Sequence, residues 1–181
     1  MDFIQHLEQR GLSPDIRAWV DYEGEIVTFP LWGASGVLVG YQRYTWKEPK
    51  IRSNAGKYYT WITAEYKPVA VWGMEYILDN GGNWESPSLV VVEGIWDAIS
   101  CIQCGYRACA LLTATPNKQL IGWFRYLTMG QDVVAIKDSP NKKEQKSGLD
   151  KLANHAIMCV EEKDMGDHSP QQAIKFLSEN I

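Results

Sequence analysis

The chain has 181 residues, 45% of them hydrophobic, with a formal net charge of −4 at neutral pH. That is enough apolar material to bury a core in one domain or a domain with a small extension. The acidic balance excludes a general polyanion binder, so contact with nucleic acid needs a local basic patch or metal ions that bridge acid to phosphate. The N-terminal stretch Met1-Asp2-Phe3-Ile4-Gln5-His6 is acidic and polar, unlike a signal peptide, and no apolar run approaches the ~20 residues that span a bilayer. Together these point to a cytoplasmic protein with no membrane partner.

In chain order, Phe3, Ile4 and Leu7 share a face of a short helix over residues 2–11, closed by Gly11. Ser13-Pro14 reads as the start of a second helix, with Ile16, Trp19 and Val20 on its apolar face. From Glu25 the period changes. Ile26 to Trp32 is a strand, Gly33-Ala34-Ser35-Gly36 a turn, and Val37 to Tyr44 its hairpin partner. Lys47, Lys50, Arg52 and Lys57 follow in a segment bounded by Trp46 and Trp61. This segment is either a nucleic-acid patch or an edge strand with solvated lysines. An apolar segment over residues 69–78 leads into Asp79-Asn80-Gly81-Gly82-Asn83, the clearest linker in the chain. It places a boundary between a small α+β subdomain, residues 1–82, and a second domain, residues 83–181.

The second domain is organised around Leu89-Val90-Val91-Val92. Four apolar residues in a row, three of them β-branched, predict a strand buried on both faces. It ends at Glu93-Gly94, and Ala98, Ile99 and Ile102 then follow at helical spacing. A second buried strand runs from Ala108 to Leu112. Thr115-Pro116 opens a helix with Leu120, Phe124 and Leu127 inward. Asp132 to Ile136 is a third strand, ending at Lys137-Asp138. A polar loop, Ser139 to Ser147, leads to a helix with Leu149, Leu152, Ala153 and Ala156 inward. Residues 156–160 suggest a fourth strand, and Ser169-Pro170-Gln171-Gln172 is a capping box that opens a C-terminal helix. Alternating strands and helices imply an α/β fold with a mostly parallel sheet flanked by helices.

Glu93, Asp138 and the run Lys163-Asp164-Met165-Gly166-Asp167 would then lie at one edge of that sheet, where open α/β sheets bind ligands. Such a carboxylate cluster repels itself unless a hard cation sits within it. For each acid there is a plainer reading as a cap, a helix salt bridge or a surface turn. Cys101-x-x-Cys104 lies within a predicted helix with no second pair. It reads as two small apolar residues in a core, not as a zinc site.

The order of Val91-Val92-Glu93-Gly94-x-x-Asp97, Asp138 after an apolar strand, and Lys163-Asp164 resembles the TOPRIM domain. More closely, it is similar to the catalytic core of bacterial-type and phage replicative primases. Further echoes are Phe29-Pro30-Leu31, Gly36, Val39-Gly40-Tyr41, Arg43, Lys57-Tyr58-Tyr59-Thr60, Val71-Trp72-Gly73 and Leu112-Thr113-Ala114. The resemblance implies metal-dependent synthesis of short RNA primers on single-stranded DNA, with NTPs as substrates. In that reading Glu93, Asp138 and Asp164 are catalytic and hold Mg2+ or Mn2+, with Asp97 and Asp167 as further ligands. Lys163 would neutralise developing phosphate charge. Arg43, Lys50, Arg52 and Lys57 would hold template or nucleotide phosphates, and Tyr58 or Trp61 would stack on a base.

The sequence departs from the family pattern at several points. Pro140 stands where the second acid of Asp-x-Asp belongs, Gly148 comes late after a lysine-rich insertion, Thr60 replaces an Asn, and Leu112 replaces a Gly. These 181 residues hold no cysteine-rich zinc-binding domain before the core and no helicase after it. A separate helicase or other replication protein is therefore the expected partner. Two other functions use the same residues. One is a non-catalytic TOPRIM protein that binds nucleic acid or a replication partner, which Pro140 favours; the other is a TOPRIM nuclease.

Overall fold

The computed structural model describes residues 1–50, 55–67, 69–79, 81–137, 148–158 and 164–181. They form two compact units, Met1–Trp72 and Gly73–Ile181. Among the described residues, no helix is long and apolar enough to cross a membrane.

The first unit opens with α1 (Phe3–Gln9), which carries a reciprocal capping box between Asp2 and Gln5 and buries Phe3 and Leu7. Four antiparallel strands follow in the order of the chain: β1 (Trp19–Asp21), β2 (Ile26–Trp32), β3 (Leu38–Thr45) and β4 (Tyr58–Ile62). The hairpin expected over residues 26–44 is present, with Gly36 in the left-handed region of its turn. The helix expected after Ser13-Pro14 is not. The Ile16 N–H donates to the Ser13 carbonyl in a turn, and Trp19, Val20 and Asp21 then pair with Thr28, Val27 and Ile26. Pairing with an existing strand outweighs the local helix-start signal.

Gly40 has a specific reason to be glycine. A Cβ there would lie 2.2 Å from the Trp61 carbonyl oxygen and 2.8 Å from the Ile62 Cα, so β4 closes on β3 only over a bare backbone. On one face of the sheet Val27, Phe29, Leu31 and Tyr44 are buried. Trp72 meets Phe29 edge-on at 6.2 Å between ring centroids.

The second unit holds α2 (Met74–Leu78), β5 (Leu89–Val92), α3 (Ile95–Gln103), β6 (Arg107–Ala110), α4 (Lys118–Leu127), β7 (Val133–Lys137), β8 (His155–Met158) and α5 (Pro170–Asn180). Its strands are all parallel, in the order β6-β5-β7-β8. All four residues of β5 are buried, as a central strand of a covered parallel sheet requires. α3 lies against β5 and β6, α5 against α3, and α2 against β6. This is the mixed α/β arrangement expected from the sequence.

Three boundaries differ from the sequence reading. α4 starts at Lys118 behind an Asn117 cap, whose side chain accepts the Leu120 N–H, so Thr115-Pro116 precedes the helix. The helix expected over residues 149–156 shrinks to a 3-10 turn, Gly148–Lys151, because Asn154 donates to the Val133 carbonyl and His155 onward joins β7. The linker-based boundary after residue 82 lies inside the second unit. The buried Arg107 side chain donates to the carbonyls of Asp79 and Pro87, which ties the Gly81-Gly82 stretch to the start of β6.

Candidate active site and nucleic-acid interface

In the second unit the chain leaves β5 toward β6 on one side and leaves β7 toward β8 on the other. Strand order therefore reverses between β5 and β7, and in open α/β sheets the crevice at the carboxyl ends of such a pair is where ligands sit. Glu93 is the first residue past β5 and is half-buried there; its carbonyl accepts the Leu112 N–H at 2.9 Å. Asp138 follows Lys137, the last residue of β7, in the sequence, but lies outside the described residues, as do Arg52, Pro140 and Lys163.

The acidic turn after β8 is held in place from α3. Asp97, in the first turn of α3, accepts the Gly166 N–H on Oδ1 at 2.7 Å. A Cβ on Gly94 would lie 2.5 Å from Asp97 Oδ2, so that glycine leaves room for the carboxylate at the helix start. Gly166 belongs to a 3-10 turn, Met165–Asp167, for which Asp164 is the cap residue. The structure thus brings the Asp164–Asp167 turn against the first turn of α3, one turn beyond Glu93. Asp164 is half-buried and Asp167 exposed.

One residue of this edge, Lys137, is given no role by the sequence. Lys137 ends β7 with its side chain only 18% exposed, and its ammonium pairs with Asp150 at 2.7 Å. The signal for it was an amine closing an otherwise apolar strand, directly before the acid. Leu112, which stands where the resemblance has a Gly, sits at φ +59, in the left-handed region that a glycine enters freely. The backbone here has the conformation that a glycine at this position favours, although the side chain is leucine.

The donors offered at this edge are carboxylate oxygens, the chemistry that Mg2+ and Mn2+ take. Among the described residues, no three His, Cys, Asp or Glu side chains stand close enough together to hold a metal; Asp138 is not among them. Cys101 and Cys104 are in no disulfide, and burial pushes the Cys104 thiol up to about 11. This fits core packing and gives no sign of a thiolate.

In the first unit the expected phosphate and base contacts separate. Directly opposed residues of antiparallel strands share a face. Arg43 opposes Tyr59, and its guanidinium lies 5.4 Å from that ring's centroid. Tyr58 opposes Tyr44 on the other face, with 5.4 Å between centroids. Lys57 also turns toward Tyr44, its ammonium 5.9 Å from that ring. Tyr44 in turn bonds His6 at 2.7 Å, and burial lowers the His6 pKa. Lys50 is exposed. The five-residue strand β4 does form an edge of the sheet, as the plainer reading of the lysine-aromatic segment had it.

No family model and no curated protein matches the chain. Solved structures do. The zinc-binding and RNA polymerase domains of Aquifex aeolicus primase superpose with a TM-score of 0.62 at 19% identity, covering 96% of this chain and 44% of that one. The primase fragment of the bacteriophage T7 primase-helicase gives 0.58 at 16% identity, covering 85% and 62%. The DnaG primase catalytic domain bound to single-stranded DNA gives 0.56 at 16%, covering 97% and 56%. The chain therefore spans between 44% and 62% of the length of these structures. The likeness runs through both units, and the chain has the fold of the primase catalytic core.

Proposed function

We propose that this chain is a primase-like nucleotidyltransferase that makes short RNA primers on single-stranded DNA. The observation that carries the reading is the fold shared with primase catalytic cores, with Glu93 at the strand-order reversal between β5 and β7. One of those cores is bound to single-stranded DNA, and another is part of a primase-helicase. A template strand, NTPs and a separate helicase or replication protein are the matching partners.

In this reading Glu93, Asp138 and Asp164 hold Mg2+ or Mn2+, with Asp167 at the margin. The ion, when bound, supplies charge neutralisation on the transferring phosphoryl group. Asp97 fixes the Asp164–Asp167 turn through the Gly166 N–H, which orients the acids on that turn. Lys137 at this edge, with Lys163 as the resemblance implies, supplies positive charge for the polyphosphate of an incoming nucleotide. Asp150 keeps the Lys137 ammonium in position. Arg43, Lys50, Arg52 and Lys57 are the phosphate contacts of the first unit.

Pro140 supplies no ligand where the resemblance has an acid. Asp150, one of the acids available to replace it, is already paired with Lys137. With fewer anionic ligands, Mg2+ binds more weakly, and Mn2+ stands to gain on the divalent affinity order. Calorimetric titration of both metals, run beside initial rates of primer synthesis, tests this. The native chain is expected to be slow in Mg2+ and faster in Mn2+, and Pro140→Asp to tighten Mg2+ binding and raise the Mg2+ rate. A chain that binds neither metal and makes no RNA in Mn2+ belongs to the non-catalytic reading, which Pro140 favours.

A further inference from the structure

At the end of the parallel sheet opposite Glu93, the second unit holds a cavity of about 540 Å3 walled by Trp84, Pro87, Arg107, Met129, Gln131 and Asp132. These residues lie just before, or at the start of, β5, β6 and β7. The Trp84 indole is fixed in the wall: its Nε1–H donates to Asp79 Oδ2 at 3.1 Å, and Asp79 Oδ1 accepts the N–H groups of Gly81 and Gly82. Arg107, only 3% exposed, donates to the carbonyls of Asp79 and Pro87 and to Gln131 Oε1. The Gln131 amide donates in turn to the Ile77 carbonyl.

Asp132 differs from these groups. Its carboxylate accepts the Ser88 hydroxyl at 2.6 Å and the Asn154 amide at 3.0 Å, both neutral donors, and each oxygen can accept a second bond. Those bonds keep it ionised at neutral pH. Among the described residues no lysine or arginine pairs with it, and exposed His155 is the titratable group that acts on it. Beside it the surface is apolar. Met129 is 78% exposed and Tyr126 75%, and the Met129 N–H bonds the Tyr126 carbonyl, so the two share a side of the last turn of α4.

We propose that this cavity docks a segment of a partner protein that carries an arginine or lysine beside an apolar side chain. The cation meets Asp132 and the Trp84 ring, and the apolar neighbour lies on Met129 and Tyr126. Charge selects this occupant. Asp132 repels the phosphates of a nucleic acid, and the cation in the wall, Arg107, is buried, bonded to carbonyls and offset by Asp79. A free polyamine would use Asp132 but leave Tyr126 and Met129 bare. Joining the starts of β5 and β8 accounts for the two hydrogen bonds of Asp132. It does not account for two large apolar side chains in solvent beside a carboxylate with neutral partners. The inference stands apart from the primase-like reading, because the cavity is at the far end of the strands from Glu93.

The probe is a fluorescein-labelled peptide, Gly-Leu-Arg-Leu-Gly, compared by anisotropy with its citrulline counterpart, which keeps the shape of the arginine and removes its charge. The full native chain is expected to bind the arginine peptide, and the citrulline peptide about tenfold more weakly. Asp132→Asn keeps an acceptor for Ser88. It should weaken the arginine peptide by about tenfold and leave the citrulline peptide unchanged. Tyr126→Ser with Met129→Ser changes two exposed positions, is expected to fold, and should weaken both peptides several-fold. In the native chain the arginine peptide should shift the Trp84 indole N–H resonance, identified by its loss in Trp84→Phe.

Equal affinity of the native chain for the two peptides, or no binding of either at millimolar concentration, overturns the proposal without any variant. So does undiminished binding by folded Asp132→Asn, or binding that leaves the Trp84 resonance unmoved. Spermidine that displaces the peptide, and binds the double serine variant as tightly as native protein, reassigns the cavity to free cations. Dimers of the native chain that Asp132→Asn dissolves reassign it to a second copy of this chain. Primer synthesis by Asp132→Asn is expected at the native rate. Failure of the primase-like reading therefore leaves this site standing, and failure of the site leaves that reading standing.

Discussion

The two sheets of this protein put their chemistry in different places. The antiparallel sheet of residues 1–72 buries Val27, Phe29, Leu31 and Tyr44 on one face and exposes Trp19 and Trp61 on the other, so its candidate ligand contacts lie on its faces and are assigned by cross-strand register. The parallel sheet of residues 73–181 has its central strand buried on every side. Its polar chemistry lies where the strands stop, at Glu93, at Lys137 and on the Asp164–Asp167 turn. A face offers area and suits extended, repetitive partners. An edge offers convergence and suits a compact charged centre.

The first way to break this comparison is to neutralise the edge. Glu93→Gln and Asp138→Ala are expected to remain folded, since an ionised carboxylate gains little from apolar packing. Each should lower primer synthesis by about a thousandfold, the scale of losing a directly acting charged group. Circular dichroism and a rate measurement on each purified variant check this, and a variant with native rate acquits its residue.

The second largest effect is expected on the face. Gly40→Ala forces a Cβ against the Trp61 carbonyl, so β4 must move away from β3. A loss of about 3 kcal/mol is expected in urea unfolding, at the upper end for a single substitution. The same change would disturb the Tyr41–Trp61 stack. If stability is unchanged, the close β3–β4 approach is not present in solution.

Smaller effects sharpen the account of the edge. Leu112→Gly releases the left-handed backbone cost beside Glu93. A gain of about 1 kcal/mol, or roughly 3 °C in Tm, is expected by calorimetry. A clear loss would mean that the leucine side chain packs there to more advantage than its backbone costs. The smallest effect is at the opposite end of the strands. The Ser88 hydroxyl donates to Asp132 at 2.6 Å and the Asn154 amide at 3.0 Å, and these bonds, the first most of all, hold the Asp132 carboxyl below its ordinary range. Its stabilising contribution is complete above the unfolded aspartate value of about 4 and fades as pH falls through the lower folded value. Asp132→Asn should make the acid loss of stability slightly less steep, and identical acid unfolding curves would remove this contribution.

The same difference between face and edge explains what the sequence made legible. β5 announced itself through four consecutive apolar residues, and Glu93 through its place at the end of that run, because a doubly buried strand leaves no other pattern. The order of strands and helices in the second unit followed from the same logic. Tyr58 and Tyr59 are the opposite case. They are adjacent and identical in chemistry, yet one points toward Tyr44 and the other toward Arg43, and only the pairing of β4 with β3 decides which. The sequence puts Trp19 on a helix face because its pairing with Thr28 is invisible locally. Asp97 was legible as an acid at a helix start, but its hydrogen bond to Gly166 joins positions far apart in sequence. Leu112 shows the converse: its φ of +59 belongs to a position where the sequence had given up the glycine.

The central claim is tested most directly by incubating the native chain with single-stranded DNA, labelled NTPs and Mn2+, and resolving the products on a gel. The account predicts short RNA that depends on the DNA strand and disappears with Glu93→Gln. Shortened DNA without new RNA would point to a nuclease. Bound but unchanged DNA, with no RNA in either metal, would contradict the catalytic reading altogether.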